Sequence, residues 1–559
     1  MAELARYSIV LAAVLAVWGP FFQSERVNNA ALDWTFRSDY TAYTLHAITT
    51  DHEFPFWVTS PRFEQLRVKG IHDFFANPET DVLSLVTALA PLGYLRAAKA
   101  TLLVSLAIGV YGCRRLLRVF SGDRPPSVVA TLVLALVALC NGAFCAHVIV
   151  GHVQFVTVAT FPLALALYLE ALSHTDTPWG ARVSRASSAG AILAVSYYSG
   201  NTHPLIQFFI LFVGVFTLVT MAARPRDATL VLVTAAALCC AFIALAAFKL
   251  FPSVYDFRGY RRHYFIGFLR WWEVGGALVT PWCRMNDELY GNNWPERYVY
   301  IGWAGVALCA FALTSWRRPA LPFLAVVAVV AWLVGVQPNN PILTLPILRT
   351  QAVVTRFALI GFLALATASA VRIDELMARL ARSRSAFVRV APAALLACAC
   401  AALACDLRDA NVVGEIARSC ADLVPIPQGP FDVGLVLAPE DPDRATLTPG
   451  PVTANAFRYE FGQRTREDPF VIVSDLPLKP RPHLRLQGQG ELTESGGHLA
   501  VRVRGSRGAF ALVFFDPLVW CGLLCSLVAW GALLWRSLPR ALRDRLGRIP
   551  HGVAQGALP

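Results

Sequence analysis

The sequence predicts a polytopic α-helical membrane protein of about twelve spans, with a small β-rich extracytoplasmic domain before the last one. Three observations carry this. The 559 residues are 56% hydrophobic and only 15% charged, with a mean hydropathy of +0.51, whereas soluble domains hold about 25% charged residues. Apolar runs recur along the chain, separated by short clusters of arginine. Late in the chain the apolar runs give way to a proline-rich, charged region with period-2 strands.

The first apolar run, residues 7–22, is followed by no small-x-small cleavage site and reads as an uncleaved span. Further runs lie at 97–112, 128–145, 153–172, 189–198, 205–222, 228–250, 298–314, 321–336, 352–370, 391–405 and 509–535. The loops between them alternate in arginine content. Arg114, Arg115 and Arg118, then Arg182 and Arg185, Arg224 and Arg226, and Arg317 and Arg318 fall in one set, with residues 372–389 and the tail 536–548. Short basic loops stay in the cytoplasm, so both termini are expected inside. Orientation alone accounts for these arginines. The formal charge of +12 therefore marks topology; a nucleic-acid protein would gather it in one polar domain.

The organisation expected is a transmembrane domain over 1–405 with a long first outer loop at 23–81, and an outer β-rich domain over 406–508. A last span at 509–535 and a basic cytoplasmic tail at 536–559 complete it. Strands are expected at 470–473, 483–486 and 498–504, with Gly496 and Gly497 turning between two of them. The thirteen cysteines form no CxxC pair and no Cys/His zinc pattern. Most sit in apolar runs as small hydrophobes. Cys405 and Cys420, flanking the polar region, are the pair an oxidising outer side would link.

The unusual residues converge on the outer face. The loop 23–81 is acidic and aromatic, and its aromatic content argues against disorder. Asp33 is the first candidate general base for an acceptor hydroxyl and Asp39 the second; capping or loop solvation is the plain alternative for either. Trp34 and Trp57 are candidate sugar platforms or interface anchors, and Glu53 a candidate acceptor ligand. His152 and His203 sit in outer turns beside Gly151 and Gly200; such histidines bind phosphate, shuttle protons or hydrogen-bond a carbonyl. No H-E-x-x-H or comparable pair appears, so no residue is assigned to a metal. Arg258, Arg261, Arg262 and His263, preceded by Lys249, break the positive-inside pattern. A lipid-linked phosphate is the natural partner, because the guanidinium fork matches phosphate oxygens. Arg356, at the outer entrance of another span, joins that set. Contact with headgroups, or with Asp256 and Glu273, is the alternative.

These pieces resemble the GT-C class of membrane glycosyltransferases, and more closely the YfhO-like bacterial membrane proteins. The matching residues are Asp33-Trp34, Phe54 to Trp57, Asn77-Pro78, Gly151-His152, Ser199 to Pro204, Lys249 to Pro252 with Arg261, and Tyr300 to Gly302. Leu345 to Arg349 with Arg356-Phe357, His498 to Val503, Phe514 to Pro517 and Gly522 complete the series. After Trp57 the sequence departs from that pattern, with Val58 to Pro61 in place of an Asn-Pro and a Cys-Gly-Gly turn. The resemblance implies inverting transfer of a sugar from a polyprenyl-phosphate donor to a lipid or glycan acceptor at the outer face of a bacterial inner membrane. Asp33 would then be the base, while Arg258, Arg261, Arg262 and Arg356 would hold the donor phosphate. A divalent metal is compatible with the class. A transporter of lipid-linked saccharide is the second reading, disfavoured by spans almost free of mid-span charge. A non-catalytic envelope scaffold is the third.

Overall fold

The computed structural model describes residues 2–28, 34, 48–50, 52, 93–173, 178–200, 202–256, 267–268, 270–281, 294–314, 320–335, 353–413, 420–422, 437–440, 445–450, 456–463, 470–477 and 484–538. Helices α1 (Ala2–Gln23), α2 (Tyr94–Ser121), α3 (Val128–Leu139) and α4 (Gly142–Ile149) come first. A 3-10 segment, Val153–Thr160, leads into α5 (Phe161–Ser173), followed by α6 (Trp179–Tyr198). Next are α7 (Thr202–Phe208), a π-helical stretch (Phe209–Phe216), α8 (Thr217–Ala223), α9 (Ala228–Asp256), α10 (Trp271–Val279) and α11 (Trp294–Arg297). Then come α12 (Gly302–Cys309), α13 (Leu321–Val334), α14 (Phe357–Ala381), α15 (Ala386–Leu407) and, last, α16 (Pro517–Ser537).

Among the described residues, eight helices are long and apolar enough to cross a membrane, or nine if α3 and α4, bent by 47°, count as one span. The expected count of about twelve is not confirmed among the described residues. The run at 189–198 is the apolar half of α6, whose other half carries Arg182, Arg185 and several serines. The runs at 298–314 and 321–336 form only short apolar helices, Gly302–Thr314 and Leu321–Val334. Fourteen residues of helix rise only about 21 Å, against roughly 30 Å of hydrocarbon.

The bundle has two chemically different ends. At one, the Arg115 guanidinium grips Glu170 at 2.5 and 2.8 Å. There too the buried Asp374 accepts from Ser121, from the Ser127 amide and from Arg124. This arginine end gathers members of the basic loop set. At the other end, Asn141 holds the joint between α3 and α4. Its side-chain amide donates to the Val137 carbonyl, while its oxygen caps the Phe144 amide. The indole of Trp18 donates to the last carbonyl of α3, Leu139 O, at 3.1 Å. Lys99 of α2 donates to the carbonyls of Phe22 and Ser24 at the C-terminal end of α1.

The β-rich region is a sandwich of two four-stranded antiparallel sheets. It is built from β3 (Leu437–Pro439), β4 (Ala445–Pro449), β5 (Ala456–Gln463), β6 (Phe470–Pro477), β7 (Leu484–Gly488), β8 (Glu491–Ser495), β9 (His498–Val503) and β10 (Arg507–Phe514). The sheet orders are β4-β5-β10-β7 and β3-β6-β9-β8. Alternate residues point into the core: Phe457, Tyr459 and Phe461 from one sheet meet Leu499, Val501 and Val503 from the other. The expected turn at Gly496 and Gly497 closes the β8–β9 hairpin, with both φ angles positive as a type I′ turn requires. Strand β10 runs on to Phe514, so the last helix begins at Pro517, capped by Asp516, not at 509. Separately, β1 (Arg26–Asn28) pairs with β2 (Cys420–Asp422) and ties the segment just after α1 to the late polar region. Cys405 is a free, exposed thiol, so the expected link to Cys420 is not formed.

Candidate functional site

The site is built on the end of α4. Gly151 follows that helix in the left-handed region, at φ 101°. Its amide donates to Val148 O at 3.2 Å and the His152 amide to His147 O at 2.9 Å. That pair of bonds is a Schellman stop, and it folds His152 back over His147. The two Nδ1 atoms lie 3.0 Å apart. Phe155, opening the next segment, stacks on the His147 ring at 4.1 Å.

Two distant segments complete the cluster. The chain from Tyr298 to Ile301 runs beside α4, where the Gly142 amide donates to Tyr300 O at 2.7 Å. A Cβ on Gly142 would lie 2.8 Å from the Tyr300 nitrogen, so glycine is what permits this approach. Tyr298 donates to Asn411 at 2.7 Å, and Asn411 donates on to Cys140 O; Tyr300 donates to Asp406. These bonds fix α11 above α4 and set Glu296 3.5 Å from Nε2 of His147. Arg356, at the entrance to α14, donates to both oxygens of Glu296, from Nε at 2.8 Å and from Nη2. Its guanidinium also lies 5.3 Å from the Phe155 ring centre. Glu296 and Arg356 are each only 10% exposed, and His147 1%.

Electrostatics follow from burial. Burial alone would raise the Glu296 carboxyl, but Arg356 and then His147 overcome it and hold the group far below the usual carboxylate range. An ionised carboxylate only accepts, which assigns the proton of His147 to Nε2 and its lone pair to Nδ1. His152 then donates from its own Nδ1, leaving Nε2 as its basic atom. Glu296, His147 and His152 form a chain in which each group fixes the tautomer of the next, the logic by which an orienting carboxylate prepares an imidazole base.

The same His147, His152 and Glu296 offer three potential metal-ligand atoms within 4.8 Å of one another. This revises the sequence expectation of no metal ligands. Arg356 already occupies both carboxylate oxygens, so a cation there would displace a guanidinium. The arrangement serves proton handling more directly.

Of the residues singled out in sequence, His152 and Arg356 enter this cluster. His203 lies half-buried in the first turn of α7. Lys249 is fully buried in α9, with Nζ 3.0 Å from Tyr197 O and 5.0 Å from the centre of the Tyr197 ring. Trp34 is corrected. It is fully buried, its indole donates to Ile149 O at 2.7 Å, and its ring is flanked by Phe21 and Tyr94. An enclosed ring offers no face to a sugar; Trp34 is itself anchored to the end of α4. Asp33, Asp39, Glu53, Trp57, Arg258, Arg261, Arg262 and His263 lie outside the described residues. His147 and Glu296 were missed. His147 sits inside an apolar run and Glu296 in a long loop, and no local spacing links them.

Gly151 carries a prediction. A Cβ there would meet the Trp34 nitrogen at 2.7 Å and its ring at 3.0 Å, on a backbone that side chains rarely adopt. Gly151→Ala is expected to destabilise this end of the bundle by about 1–3 kcal/mol and to perturb tryptophan fluorescence. An unchanged melting temperature together with an unchanged spectrum would refute this packing.

The sequence matches no family model and no curated protein. Among solved structures it is similar to ArnT from Cupriavidus metallidurans in the apo state, at 15% identity and a TM-score of 0.44, covering 74% of this chain and 77% of that one. It is also similar to ArnT from Cupriavidus metallidurans bound to undecaprenyl phosphate, at 15% identity and a TM-score of 0.41, covering 73% and 76%.

Proposed function

We propose that this protein is a membrane glycosyltransferase of the GT-C class, YfhO-like in its motifs. It transfers a sugar from a polyprenyl-phosphate donor to a lipid or glycan acceptor at the outer face of a bacterial inner membrane, with both termini cytoplasmic. The observation that carries this reading is the buried Glu296–Arg356–His147–His152 cluster at the bundle end opposite the arginines. Ionised groups shielded from water in this way are costly, and such sites are where perturbed acids and bases cluster for chemistry. Trp34 packs on Gly151, one residue before His152, and Asp33 precedes Trp34 in the chain.

In the proposed reaction an acceptor hydroxyl attacks the anomeric carbon of the donor. Asp33, or Asp39 in its place, takes the hydroxyl proton as the new C–O bond forms. The bond from the anomeric carbon to the phosphate oxygen breaks, and polyprenyl phosphate leaves with the electron pair. Arg258, Arg261, Arg262 and His263 are the proposed stabilisers of the charge that develops on that phosphate, while Lys249 and Arg356, whose donors are engaged by Tyr197 O and Glu296, act on it through their positive charge alone. Glu296 holds the Arg356 fork in one orientation, and His152 passes protons between the site and solvent. Glu53, Trp57 and His203 are the proposed acceptor ligands.

The experiment compares the lipids of cells that make the protein with those of cells lacking its gene. The expected result is accumulation of one polyprenyl-phosphate sugar and loss of one glycan or glycolipid modification, both reversed by the wild-type gene. Unchanged lipid-linked sugars with a redistributed but intact saccharide would favour transport instead.

A further inference from the structure

At the arginine end, a cavity of about 830 Å³ opens between α1, α2 and α5, lined by Tyr7, Tyr111, Arg114, Arg115 and Arg118 among others. A second cavity of about 540 Å³ continues along α2 toward α6 and α16. The two share Ile108 and Leu163, so they adjoin along α2 and together offer one groove-like surface. The second part is almost wholly apolar along α2, with Val104 and Ile108 on its wall and Trp530 at its side.

The α2 face explains the gradient. Val104, Ile108, Tyr111, Arg115 and Arg118 recur at spacings of three and four and so lie along one stripe. That stripe passes from aliphatic through an exposed tyrosine to guanidinium groups, the order of an amphiphile with its charged head at the arginine end. The charges are unbalanced. Three arginines line the first cavity against Glu3 and Glu170, and each acid is shared with a further arginine, Arg6 and Arg185 respectively. Arg114 is 11% exposed and bonds Glu3 through Nη2. Its Nη1 is buried and, among the described residues, has no hydrogen-bond partner. A buried donor left without a partner is costly, and a phosphate oxygen in this cavity would satisfy it. The positive-inside pattern explains why arginines are here; it does not explain a cavity with an unmet donor and an apolar continuation.

We propose that this groove binds one anionic phospholipid, its phosphate on Arg114 and Arg118 and an acyl chain along Ile108 and Val104 toward Trp530. The site lies at the opposite end of the bundle from the proposed transfer site and does not depend on that function. A guanidinium pair suits a phosphodiester through charge and fork geometry together, and the groove supplies the apolar area that a soluble phosphate would leave empty.

Native mass spectrometry of the purified full-length protein tests this, with phosphatidylglycerol and phosphatidylcholine added separately. One phosphatidylglycerol is expected to be retained in preference to phosphatidylcholine. Arg118→Gln, an exposed position that should fold normally, is expected to weaken retention about fivefold. Ile108→Trp, which fills the groove without changing charge, should also weaken it. Equal retention of the two lipids, or wild-type retention by both variants, overturns the proposal. Displacement of the lipid by inorganic phosphate at similar concentration also overturns it, because the site would then read free phosphate.

Discussion

Arg356→Ala is expected to destabilise the protein more than any other single change at the site, by about 3–5 kcal/mol, seen as a large fall in melting temperature in detergent. The guanidinium supplies two hydrogen bonds to a carboxylate that is 10% exposed. Its removal leaves that charge buried with only His147 3.5 Å away. The pair rather than either residue is the unit, so Glu296→Leu combined with Arg356→Met should recover most of the loss. Additive losses in the double variant would show that the pair is not coupled. The pH dependence has a definite sign. Arg356 and His147 hold the folded-state Glu296 carboxyl well below its unfolded value, overcoming the opposing effect of burial. Its contribution is therefore fully present above the ordinary glutamate pKa of about 4.3. It is lost only as pH falls from there through the depressed folded value. A wild-type melting temperature that fell between pH 7 and pH 5 because of this pair would contradict the assignment.

Asp33→Asn is expected to reduce sugar transfer by about 10²- to 10⁴-fold, the usual share of a general base, while the protein still inserts and melts like wild type. Asparagine keeps the size and polarity but cannot accept a proton at neutral pH. Asp39→Asn on the same assay separates the two acids: the base is the one whose loss cannot be offset by raising pH. His152→Gln keeps a hydrogen-bonding side chain but breaks the His147 relay. It should change the pH profile of transfer more than its rate at the optimum. Full activity in both aspartate variants would remove the catalytic role from the first outer loop and favour the scaffold reading.

What could be read from sequence was whatever depends on local pattern. Strand alternation at 470–473 and 498–504 reappears as β6 and β9, and the Gly496-Gly497 turn as the β8–β9 hairpin, because side chains on a half-buried strand alternate within a few residues. Composition likewise required a membrane solvent, but it does not by itself fix the number of spans. Apolar character alone does not separate the 14-residue α13 from a crossing helix.

Burial and long-range pairing could not be read this way. Trp34 looked like a sugar platform beside an acid, yet the fold encloses it between α1, α2 and the end of α4. Arg356 looked like a phosphate ligand, yet its fork closes on Glu296, 60 residues away. The sequence by itself determined a membrane-embedded helical chain with an arginine-rich end and a late β-rich region, since hydropathy, charge sign and strand period are local properties. Only the tertiary structure decided that His147, His152, Glu296 and Arg356 meet. Contacts between distant segments depend on how the helices pack: the Asn141 joint, the Gly142 approach and the Gly151 reversal together set the four side chains within reach of one another.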